Sequence, residues 1–148
     1  MKKSLLIKIL IVVLILALGV FGYKFIKDKT TGNGTTGDKK ITVTVIDKSN
    51  DTVLVDSEEF KTNAKTLGEF LSENSKTLET KLDKGQFGTF ILGIKGIETK
   101  DMKKGPWWMY SYKSPKGNLN YKRGEAPGVD SINLQTGDSV TFEFTNEM

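Results

Sequence analysis

The chain has 148 residues, a formal charge of +4, and neither cysteine nor histidine. Those two absences exclude a disulfide framework, a lipid-modified cysteine, thiolate or imidazole metal sites, and Cys–His or Ser–His catalytic pairs. The positive charge sits in residues 1–37, where six lysines face one aspartate, and the remaining residues carry a net −1. The electrostatic footprint of a nucleic-acid binder is therefore missing from the rest of the chain.

The first element is an apolar run from Leu5 to Tyr23, preceded by Lys2 and Lys3 and interrupted by Lys8. A membrane-spanning helix needs roughly 20 apolar residues and the core of a cleavable signal about 7–15. Residues 1–29 thus read as an N-terminal transmembrane helix, an anchor in preference to a signal peptide. The small residues Ala17 and Gly19 also fit cleavage before Val20, which would make the protein secreted. Lys2 and Lys3 hold the start of the chain in the cytoplasm, which places the remainder on the extracellular side of the cell membrane. Residues 30–39 are rich in Gly and Thr and hold no apolar residue. They form a flexible tether with a reach of about 20 Å.

Residues 40–148 make the domain. Ile41–Asp47 alternates apolar residues with Thr, the pattern of a half-buried strand; "KSND" is a turn, and "TVLVDSEEF" pairs back as a second strand. The same loop places Asp47, Ser49, Asp51 and Glu58 at calcium-loop positions 1, 3, 5 and 12. Thr52 stands where glycine is required and strands flank it, so a hairpin is the better reading. "NDT" is a glycosylation sequon by pattern, read as accidental. At "TLGEFLSEN" the period changes: Thr66 and Glu69 form a capping box, and Leu67, Phe70 and Leu71 share a helical face. Phe87 to Ile97 is a glycine-punctuated apolar stretch, read as one bent strand or two short ones. "PWWMYSYK" is a further strand, "SPKGNLNYKRGEAPG" a polar excursion, and "QTGDSVTFEF" a Gly-Asp turn with a last strand. The sum is an α+β pattern with one helix packed on a mainly antiparallel or mixed sheet, which a small β-grasp-like domain would accommodate.

The succession "ITVTVID", "AKTLGEFL", "GTFILGIKGI", "GPWWMYSY" and "PGVDSINLQTGDSVTFEF" resembles the bacterial transcobalamin-like C-terminal domain family. That uncharacterised family is similar to the small β-domain of transcobalamin and intrinsic factor. The resemblance covers residues 40–146, and its most specific parts are the paired tryptophans and the "GVD…L..GD" spacing. None of these is a catalytic motif. The resemblance implies a binding fold, with cobalamin or a related corrinoid as ligand. It also implies a separate helical or transporter partner, because the corrinoid of the eukaryotic carriers sits between this domain and a helical one.

If "WWMYSY" is a strand, Trp107, Met109 and Ser111 face one way and Trp108, Tyr110 and Tyr112 the other. The two hydroxyls suit a half-exposed surface, so Trp107 and Met109 are assigned to the core and Trp108, Tyr110 and Tyr112 to a candidate ligand site. Tyr121 and Arg123 join the site as contacts for an anionic ligand, although a solvated loop is the better reading of Lys122 and Arg123 beside Tyr121. No carboxylate pair has an apolar setting that argues for acid–base catalysis. The expected function is a non-enzymatic, membrane-tethered extracellular ligand-binding or interaction module. It takes no cofactor beyond cobalamin as a possible ligand and no nucleic acid. The alternative is a structural or adhesive envelope protein that contacts cell-wall polymer or another membrane protein.

Overall fold

The computed structural model describes residues 37–147. The anchor and most of the tether expected from the sequence lie outside the described residues. Among the described residues no helix is long and apolar enough to cross a membrane.

Alternation sets the first two elements. Strand β1 (Lys39–Asp47) buries Ile41, Val43 and Val45 completely and turns its threonines away from them. Strand β2 (Thr52–Thr62) returns antiparallel, its register interrupted between Val43 and Val45 of β1. The connecting turn is closed by Asp47, whose Oδ1 accepts the Ser49 amide at 2.9 Å and whose Oδ2 accepts Asn50 Nδ2 at 3.1 Å. Burial pushes the Asp47 carboxyl up, but these hydrogen bonds outweigh it and hold the group below its ordinary range. The carboxylate that could have opened a calcium loop is thus the closing group of a hairpin.

Helix α1 (Leu67–Glu73) starts at Thr66, whose hydroxyl accepts the Glu69 amide at 3.1 Å. The return arm of the capping box reaches one residue further back than expected, from Glu69 Oε2 to the Lys65 amide at 2.8 Å. Leu67, Phe70 and Leu71 are fully buried, and Phe70 meets Phe60 of β2 edge-on, with centroids 5.6 Å apart. Three strands follow: β3 (Lys81–Gly85), β4 (Gly88–Ile94) and β5 (Ile97–Glu98). β4 and β5 are the two short strands foreseen in the apolar stretch. β3 was not foreseen, since its alternation is masked by charge. The chain ends with β6 (Trp107–Ser114), β7 (Leu119–Tyr121), a 3-10 turn at Val129–Ser131, and β8 (Ser139–Thr145).

The strands form a five-stranded sheet of order β2-β1-β8-β6-β7 and a three-stranded sheet of order β3-β4-β5. β1 and β8 run parallel and the other pairings are antiparallel, so the larger sheet is mixed and the domain is α+β. One register fixes what β6 presents. Trp108 lies opposite Phe144, Tyr110 opposite Phe142 and Tyr112 opposite Val140. These three aromatic residues therefore share the inner face with the buried side chains of β8.

Candidate functional site

That register inverts the facing expected for the tryptophan strand. Trp108 is 7% exposed and Tyr112 1%, whereas Trp107 and Met109 sit half-buried on the other face, opposite Thr145 and Glu143. Alternation separates the two rows of a strand but does not say which row the core takes. The two hydroxyls do not mark a half-exposed row, because both phenols find partners inside the protein. Tyr110 Oη donates to the Pro127 carbonyl and Tyr112 Oη to Asp138 Oδ2. Burial, first of all, raises both phenols above their ordinary pKa, and for Tyr112 the hydrogen bond to Asp138 adds to it.

The remaining expected site residues also have structural partners. Tyr121 lies on β7 opposite Tyr112 and packs against the core. Arg123 is engaged by two carboxylates, Glu143 Oε2 at 2.6 Å and Glu147 Oε2 at 3.0 Å. Of the five, Trp108 and Tyr110 border a cleft; Tyr112, Tyr121 and Arg123 do not.

That cleft, about 340 Å³ in volume, lies between β6 and β4 and is roofed by the 124–131 segment. One wall is Phe87, Phe90 and Ile91; the other is Trp108, Met109 and Tyr110. A second hollow of about 360 Å³ continues along the same strand past Trp107 to Thr99 and Met102 and shares Phe90, Ile91, Trp108 and Met109 with the first. The side chains of Phe87, Phe90 and Met102 are left in solvent, Phe87 at 87% exposure in the β3–β4 turn. Trp107 Nε1 donates to the Met102 carbonyl at 2.8 Å and Trp108 Nε1 to the Ile97 carbonyl at 2.8 Å, which ties the tryptophan strand to the loop and to β5. The Thr99 hydroxyl, bordering the second hollow, is buried without a hydrogen-bond partner.

Asp130 builds the far end of the cleft. Its Oδ2 accepts the Thr89 amide at 2.8 Å and its Oδ1 the Thr89 hydroxyl at 3.1 Å, which pins the 3-10 turn to β4. Close approach to α1 requires Gly68: a Cβ there would stand 2.2 Å from Asp130 Oδ1. On the other side of this link lies a cleft of about 490 Å³ bordered by four charged side chains, Glu69, Glu73, Lys84 and Asp130.

Sequence reasoning missed Phe87, Phe90, Met109 and Met102 as site residues. A signal existed for Phe87, an aromatic residue in a turn between Gly85 and Gly88, where no core can form around it. Among the described residues no group of three or more acidic, histidine or cysteine side chains is placed to hold a metal ion.

No family model matches the chain, and no curated protein matches it. Among solved structures, a protein of Ruminococcus gnavus described as a "putative metal binding protein" is similar, with a TM-score of 0.55 at 29% sequence identity. The match covers 75% of this chain and 100% of that one, so the two share a fold over most of the residues described above.

Proposed function

We propose that the chain is a non-catalytic, extracellular binding module held at the membrane by its N-terminal apolar run, with the aromatic cleft between β6 and β4 as its site. The observation that carries this reading is the combination of Phe87, Phe90 and Met102 in solvent with an apolar hollow beside them. A monomer that leaves large apolar side chains grouped around a concavity keeps them there for a partner. The hairpin, helix and final strand parallel to β1 support a β-grasp-like domain of the transcobalamin-like kind, and the corrinoid is the ligand which that resemblance implies. A cleft of about 340 Å³ would grip one edge of a macrocycle and leave the rest to a second polypeptide.

Equilibrium dialysis of the full chain in detergent against cobalamin tests the ligand. Uptake is expected, weakened in Phe90→Ser, whose side chain is half exposed and whose loss leaves the core intact. No uptake at a concentration of about 1 mM, where even a binding free energy of about −4 kcal/mol would register, removes the corrinoid.

A further inference from the structure

Consecutive residues of a strand point to opposite faces, so three of them can border one hollow only where the hollow runs along the strand's edge. Trp107, Trp108 and Met109 do this in one hollow, and Trp108, Met109 and Tyr110 in the other. The edge in question has no strand partner. β7 pairs with β6 only at Tyr112, Lys113 and Ser114, which leaves residues 107–111 bonded to β8 on one side and to no strand on the other.

Every other edge among the described strands carries a device against pairing. β2 has an irregular register and a run of charges, Asp56, Glu58, Glu59 and Lys61. β3 carries Lys81, Asp83 and Lys84, and β5 and β7 are two and three residues long. The side of β4 away from β3 has its Thr89 amide occupied by Asp130. Exposed strand edges are guarded in these ways because they template pairing with other chains. "WWMYS" has no charge, no proline and no irregularity.

We propose that this edge receives an extended polypeptide segment of a partner protein, which adds a strand to the five-stranded sheet beside β6. The proposal rests on the reading of the cleft as the binding site and gives it a polypeptide occupant in place of the corrinoid. Main-chain hydrogen bonds to residues 107–111 supply the register, and alternate side chains of the guest enter the hollow between Phe90 and Met109. Charge sets its direction. Lys100, Lys103 and Lys104 stand exposed around Met102 at the Trp107 end, and Asp101, the acid between them, turns its carboxylate onto the Lys103 amide at 2.9 Å. The guest therefore carries acidic residues where it passes Met102 and apolar residues at alternate positions beyond.

The test uses random linear peptides displayed and selected on the full chain in detergent, with Phe90→Ser as the counter-target. Selected peptides are resynthesised with single N-methyl amides. An added strand donates alternate amides to its neighbour, so methylation at every second position should weaken binding about tenfold while the positions between tolerate it. The amide signals of residues 107–111 should shift with bound peptide. The proposal is overturned if no peptide is enriched over the counter-target, if methylation is tolerated everywhere, or if the shifts fall on the charged cleft by Glu69 and Glu73. Soluble cell-wall glycan fragments that shift those amides when no peptide does, or a dimer of the chain that covers them, would also overturn it. Cobalamin uptake without peptide binding would leave the binding module standing and remove only the guest strand; peptide binding without uptake would do the reverse to the corrinoid.

Discussion

Two clefts lie on either side of the Asp130–Thr89 link, and the larger is the less promising. The charged one, about 490 Å³, has all three of its carboxylates already in use: Glu69 on the Lys65 amide, Glu73 on the Thr62 hydroxyl at 3.0 Å, Asp130 on Thr89. They hold the helix and the 3-10 turn in place, and a ligand there would have to displace bonds the fold depends on. The aromatic one is smaller but leaves its resources unspent, with apolar rings in solvent and a strand edge without a partner. Volume measures room; unsatisfied groups measure readiness to bind.

The comparison breaks first at Trp108, which belongs to the core and only borders the cleft. Trp108→Ala should cost about 3–5 kcal/mol, because it empties a site packed against Phe144 with ring centroids 5.0 Å apart. A thermal melt that leaves this variant near the parent would return Trp108 to the surface and reopen the original facing.

Tyr112→Phe comes next, at about 1–3 kcal/mol, since it leaves the buried Asp138 with the Gln135 amide alone on its Oδ2. The same phenol sets an alkaline limit. Its folded pKa lies above the ordinary tyrosine value of 10.0, so its contribution is complete below that value and is lost as the pH rises beyond it. Alkaline unfolding of the parent should thus begin above about pH 10 in step with tyrosinate absorbance. Tyrosinate formed by Tyr112 in a protein that is still folded would contradict the buried hydrogen bond.

Gly68→Ala tests the link between the clefts at a cost of about 1–3 kcal/mol, because its methyl would force Asp130 away from Thr89. Hydrogen exchange at the Thr89 amide should accelerate, and unchanged protection would show that α1 can yield instead. The smallest stability effect, within about 0.5 kcal/mol, belongs to Phe87→Ser, whose ring lies almost wholly in solvent. This variant should melt with the parent yet bind less well in the dialysis and peptide assays. Equal binding would take Phe87 out of the site.

The legibility of the chain follows the range of the interactions that decide each feature. β1, β2 and α1 were readable because alternation, turn residues and a capping box act within a few positions of one another. β3 was hidden because an edge strand guarded by charge loses the apolar rhythm that would mark it. The candidate site divided along the same line. The sequence by itself determined that Trp107 and Trp108 must part company, that Tyr110 and Tyr112 go with the latter, and that the chain lacks thiol and imidazole chemistry. Only the tertiary structure decided which row faces inward, because that depends on the pairing of Trp108 with Phe144, residues far apart in the chain. It also decided that the pairing of β7 with β6 stops at Tyr112 and so leaves the edge of Trp107 to Ser111 open, and that Phe87, Phe90 and Met102 gather beside it. A strand's period is written in its own residues; its neighbours, and therefore its free edge, are written in the register between strands.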